Sequence, residues 1–118
     1  MSDIEVGIAV RFRDILSARG PDGPFITYQA LASMLDLSPP RTIQQVAGAL
    51  EQLMREDVAA GRPMIAALVV SRAGDMPRRG FFDHAVALGR FPDDPERHRV
   101  AWQAECVAVL AQGSNGQP

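Results

Sequence analysis

Apolar residues recur at helical spacing over most of this chain, with one interruption near its middle. Ile4, Ile8, Phe12, Ile15 and Leu16 predict a first helix, opened by the capping-box spacing Ser2-Asp3-Ile4-Glu5, running to about Arg19 and closed by Gly20-Pro21. Phe25-Ile26-Thr27 reads as a short extended piece. Thr27 then caps a second helix from Tyr28 to about Asp36 that buries Leu31, Ala32 and Leu35. Ser38-Pro39-Pro40 suits the start of a third helix, because proline has no N–H to lose in a first turn. Ile43, Val46, Ala47, Leu50, Leu53 and Met54 form its apolar stripe, which continues to Ala60 with Gly61 as C-cap.

The interruption is Met64 to Val70, seven apolar residues in a row. That run is short for a lone helix and ends in β-branched residues, so it is expected to be a buried strand. Ser71 to Pro77 supply turn chemistry, and Arg78-Arg79 precede Gly80 and the Phe81-Phe82 pair, giving a strand, a basic loop and a re-entry into the core. A short helix follows to Gly89 with Phe81, Phe82, Ala85 and Leu88 inward. Asp93-Asp94-Pro95-Glu96 opens a last helix to about Gln112, with Val100, Ala101, Ala104, Val107 and Ala108 turned inward and Trp102 and Leu110 as further candidates. Residues 113–118 are expected to be a disordered tail. The fold class is therefore α+β: one domain over residues 1–112, five helices around a small two- or three-stranded sheet, winged-helix-like.

Composition narrows the function classes. A chain of 118 residues, 47% hydrophobic and 22% charged, is one ordinary globular domain. It has no run long enough to span a membrane and no signal-peptide pattern, which gives a cytoplasmic expectation. Cys106 is the single cysteine, which rules out an intramolecular disulfide and a cysteine-built zinc site; no metal or cofactor is expected. All 12 basic residues are arginine. A coding preference accounts for that as well as a need for guanidinium forks does. Their distribution is more telling: residues 62–90 hold 5 arginines against 2 acids, whereas 1–61 hold 5 against 8 and 91–118 hold 2 against 4. Only the central segment is basic.

Two helices with a tight connection, the second longer and amphipathic, make a helix-turn-helix candidate. If the third helix buries its stripe, Arg41, Thr42, Gln45 and Gln52 face outward with Gln44 at the edge. Such side chains address phosphates and base edges, although any solvated helix face carries them too. A strand and a loop bearing Arg72, Arg78 and Arg79 come next, the order of parts in a winged helix. Against catalysis, His84 beside Asp83 and His98 between Arg97 and Arg99 have no motif context. Cys106 lies mid-helix beside Glu105, where nothing lowers its pKa. Gly74 and Gly80 fit neither nucleotide fingerprint. The expectation is a non-enzymatic protein that binds duplex DNA through Tyr28, Arg41, Thr42, Gln45, Arg72, Arg78 and Arg79. The alternative is a protein-interaction module of a bacterial complex that uses the same surface without nucleic acid.

Tyr28-Gln29-Ala30-Leu31-Ala32, Arg41-Thr42-Ile43 and the apolar run followed by a glycine-containing turn resemble the DNA-binding domain of alkylguanine-DNA alkyltransferases and the alkyltransferase-like proteins. The resemblance covers about residues 25–82. It implies that Tyr28 presses on a backbone phosphate and that Arg41 reaches into the duplex. Where that family carries its Pro-Cys-His-Arg motif, this chain reads Ala66-Ala67-Leu68-Val69, so the methyl-accepting nucleophile is missing and alkyl transfer is excluded. The residues that shape a lesion pocket have no match. The text GRP-MIAALVV, Gly74-Asp75-Met76-Pro77 and Gly80-Phe81-Phe82 also resembles small uncharacterised bacterial proteins, a likeness that brings no activity with it.

Overall fold

The computed structural model describes residues 3–20, 22–37, 39, 41–72 and 75–115. In chain order it runs α1 (Asp3–Ser17), β1 (Ile26–Thr27), α2 (Tyr28–Met34), α3 (Thr42–Ala59), a 3-10 turn at Ile65–Leu68, β2 (Val69–Val70), α4 (Arg79–Ala87), a second 3-10 turn at Pro95–Arg97, and α5 (His98–Asn115). The described residues form a helix-rich domain of five α-helices with one two-stranded sheet, compatible with an α+β class. The expected capping box lies partly outside the described residues, since it begins at Ser2.

The third helix is the hub. It packs against α1, α2, α4 and the Ile65–Leu68 turn, burying Val46, Ala49, Leu50, Leu53 and Met54. Phe12 and Leu16 of α1 and Leu31 of α2 fill the space beside it. Gly61, in the left-handed region at φ 70°, turns the chain away after the last turn, which suits a residue with no Cβ.

The central segment departs from expectation in form but not in burial. Every residue from Met64 to Val70 is buried. Yet only Val69 and Val70 are strand, paired in parallel with Ile26 and Thr27, while Ile65–Leu68 coil into a 3-10 turn. The reason is where the backbone donors find acceptors. The Met64 N–H donates to Glu105 Oε2 at 2.6 Å and the Ile65 N–H to Asp57 Oδ2 at 3.0 Å. The Ala67 N–H closes onto the Met64 carbonyl at 3.0 Å, and the Ala67 carbonyl accepts from Trp102 Nε1–H at 2.8 Å. Satisfied by side chains and by the turn itself, these groups need no neighbouring strand. Apolarity alone does not distinguish these conformations.

The last helix also differs. It continues to Asn115, into the stretch expected to be tail, and residues 116–118 lie outside the described set. Val100 and Val107, expected inward, are 68% and 67% exposed, and Ala104 is exposed too. Trp102 and Cys106 face the core, as their apolar character suggests, and Glu105 and Val109 join them there. A helix apolar on most sides does not specify its own rotation; the bonds from Trp102 and Glu105 to the central turn do. No helix among the described residues is long and apolar enough to cross a membrane.

Asp57 is fully buried and satisfied from three sides. Its Oδ1 faces Arg13 Nη1 at 2.9 Å and Arg62 Nε at 3.1 Å, while Oδ2 takes the Ile65 N–H. Removing one member of such a group leaves the others uncompensated. Asp57→Ala is therefore expected to cost about 3–5 kcal/mol, a large share of a domain's total of roughly 5–15 kcal/mol. Urea denaturation measures it; an unchanged midpoint would contradict the assignment.

Candidate functional site

The sequence places Tyr28 at the head of α2, and Thr27 fixes that head by accepting the Ala30 N–H at 3.1 Å. Pairing of Ile26 and Thr27 with Val69 and Val70 sets this point against the end of the buried segment. Tyr28 is buried, and its hydroxyl accepts the backbone N–H of Arg78 at 2.9 Å, while the Arg78 guanidinium lies 5.7 Å from its ring centroid. Burial raises the phenol above its ordinary pKa, against the smaller opposing pull of the Arg78 N–H bond and charge. The phenol is therefore neutral at physiological pH. These contacts fasten the head of α4 to the head of α2 across 50 residues of sequence.

Arginine occupies the N-cap of both α3 and α4, and neither makes a side-chain cap bond. Arg41 is exposed and left-handed at φ 64°, ψ 30°, a conformation that costs a non-glycine residue roughly 1–2 kcal/mol. Its carbonyl accepts the Gln45 N–H at 2.9 Å. Thr42 and Gln45 are half-buried rather than fully outward. Arg78 is exposed and extended, with its carbonyl accepting the Phe81 N–H at 3.0 Å. First-turn amides at such ends have no intrahelical acceptor, and together with the aligned peptide dipoles they favour negative charge.

Along α3 from Gln44 and beside the head of α4 lies a cavity of 210 Å³ with Tyr28, Gln44, Glu51 and Arg78 as its polar lining and Ala66 and Phe81 in its apolar wall. The cavity thus joins α2, α3, the central turn and α4. Of the residues expected at the site, Tyr28 and Arg78 line it; Arg41, Thr42, Gln45, Arg72 and Arg79 do not. Arg72 is exposed on the connecting loop, which closes through the Ser71 N–H and the Met76 carbonyl at 2.6 Å. Ala73 and Gly74 lie outside the described residues. Arg79 is 93% exposed and 3.7 Å from Asp83, an exposed pair that contributes little and leaves the guanidinium available. Gln44, Glu51 and Phe81 are additions that the sequence does not place at the site, although Gln44 falls at the edge of the predicted outward face.

The far half of α3 has other partners. The Gln52 amide donates to Glu56 at 2.9 Å and accepts from Arg55 at 2.9 Å, so its polar face is internally bonded. Phe81 and Phe82 are buried with Phe91, and His98 stacks on Phe82 at 5.3 Å with 4° between planes. No group of three or more metal-ligating side chains occurs among the described residues.

Cys106 is buried, with Sγ 3.6 Å from the Ala67 carbonyl. Burial, and secondarily the Glu105 charge, push its thiol up to about 12. Between its ordinary value and that figure, an unfolded chain releases a proton that the folded chain keeps, so raising pH through this window reduces stability. Iodoacetamide at pH 8 is expected to leave the native thiol unmodified and to label it readily in denaturant. Equal rates in the two states would contradict this placement.

The chain matches no family model, no curated protein and no solved structure.

Proposed function

We propose that this domain binds duplex DNA without catalysing a reaction, in a winged-helix-like manner. The head of α3 (Arg41 to Gln45) enters a groove, and the loop from Arg72 to Arg79 lies along the adjacent sugar-phosphate backbone. The observation that carries this reading is that α3 and α4, each N-capped by an arginine without a side-chain cap bond, border one cavity, which Gln44 in the first turn of α3 and Arg78 at the head of α4 both line. Helix dipoles and guanidinium groups at the starts of α3 and α4, in a protein with net charge −2, are suited to phosphate.

The geometry refines the roles expected from the resemblance. Tyr28 acts from inside: with its hydroxyl on the Arg78 N–H, it positions the basic loop beside α3. Arg78 and Arg79 meet phosphates, which fixes orientation without reading sequence. Arg41, at the head of the helix that enters the groove, is the residue placed to discriminate between duplexes. Among the described residues the sheet is one parallel pair, and the segment that enters α4 is held at Arg78 by the Tyr28 hydroxyl.

Fluorescence anisotropy on labelled duplexes at two salt concentrations tests the proposal. Replacing Arg78 and Arg79 by alanine is expected to weaken binding about equally for unrelated sequences. The slope of log affinity against log salt should become shallower by about 0.9 for each phosphate that is no longer neutralised. Arg41→Ala is expected to change the preference between duplexes. If the double variant retains wild-type affinity and slope, the DNA reading fails and the interaction-module reading takes its place.

A further inference from the structure

A second and larger cavity, of 540 Å³, lies away from the helix heads, where α1, α3 and α5 approach their C-terminal ends. Its apolar lining comes from Leu16, Ile65, Leu68, Val109 and Leu110, and its charged lining from Arg13, Arg19, Arg62 and Asp57. Its volume falls in the range of about 300–1,000 Å³ that small-molecule sites occupy, and its wall is divided about evenly between apolar surface and convergent polar and charged groups, which suits a ligand with both characters.

The bonding of the charged groups separates those already occupied from the one with capacity to spare. Asp57 is saturated by Arg13, Arg62 and the Ile65 N–H. Arg13 divides its two terminal nitrogens between Asp57 and Glu56. The Arg19 guanidinium donates to the carbonyls of Gly23, Pro24 and Phe25, which offsets chain oxygens rather than any acid. Arg62 is different: among the described residues it bonds Asp57 through Nε alone, and its side chain is 44% exposed on the cavity. A guanidinium carries five N–H donors in a planar fork. Its position against Asp57 also holds it stiff, which lowers the entropy cost of receiving a further partner.

We infer that this cavity binds a small amphipathic carboxylate, with the carboxylate on Arg62 and its apolar chain or ring against Leu16, Ile65, Leu68 and Leu110. A planar carboxylate matches the fork of the guanidinium, and three arginines against one acid in the lining keep the anion favourable despite the nearby helix C-termini. The site is independent of DNA binding. It shares with the other cavity only the central turn, which presents Ile65 and Leu68 to this cavity and Ala66 to the other.

Titration of the ¹⁵N-labelled chain with octanoate, followed by ¹H–¹⁵N correlation spectra, tests the inference, with 1-octanol and acetate as controls. Octanoate is expected to give saturable shifts centred on the amides of Ala18, Arg62, Ile65 and Leu110. Both controls should bind at least about tenfold more weakly, since each lacks one of the two recognised parts. Arg62→Gln should weaken octanoate by about tenfold. Because Arg62 also supports Asp57, a second variant is needed that leaves the ion pairs alone: Leu110→Trp, which fills the cavity and should abolish the shifts. Octanol binding as well as octanoate, shifts centred elsewhere, or unchanged octanoate affinity in Leu110→Trp would each overturn the proposal.

Discussion

Two carboxylates inside the fold accept the N–H groups of adjacent residues, Glu105 that of Met64 and Asp57 that of Ile65. One comes from α5 and the other from α3, so a single point of backbone is held from both sides of the core. Neither acid is left uncompensated: Arg90 meets Glu105 at 2.7 Å, and Arg13 and Arg62 meet Asp57. Charges so deep in an interior are destabilising unless paired and hydrogen-bonded, so these pairs are conditions of the structure rather than additions to it.

From that point the rest follows in sequence. The held amides let the chain coil as a 3-10 turn, and the turn leads into Val69 and Val70, whose pairing with Ile26 and Thr27 fixes where α2 begins. The start of α2 places Tyr28, and the Tyr28 hydroxyl receives the Arg78 N–H. The basic loop therefore owes its position to two acids that never meet the surface it serves. The same turn separates the two cavities, with Ile65 and Leu68 on the larger and Ala66 on the other.

The helices were legible because their apolar residues recur with the helical period, and because Thr27, Gly61 and the Asp94-Pro95 pair mark ends by local chemistry. Asp94 does cap the second 3-10 turn, accepting the Glu96 N–H at 3.0 Å. The central run was legible as buried but not as a turn, because the acceptors that shape it lie 8 and 41 residues away in the chain. A signal was present for one of them: Asp57 falls on the same stripe as Leu50, Leu53 and Met54, and a carboxylate at a core position of a helix indicates a buried partner. The rotation of α5 had no such periodic signal, because valine and alanine occur on both its faces. At the site, Arg78 and Arg79 stood out by charge, whereas the contact of Tyr28 with Arg78 depends on tertiary geometry and had no local mark.

Native-state hydrogen exchange tests the central claim most directly. If Glu105 and Asp57 hold the turn as described, the Met64 and Ile65 amides should exchange only through global unfolding, with an opening free energy equal to the stability measured in urea. Exchange of these two amides through local opening, as fast as that of the exposed loop around Arg72, would contradict it.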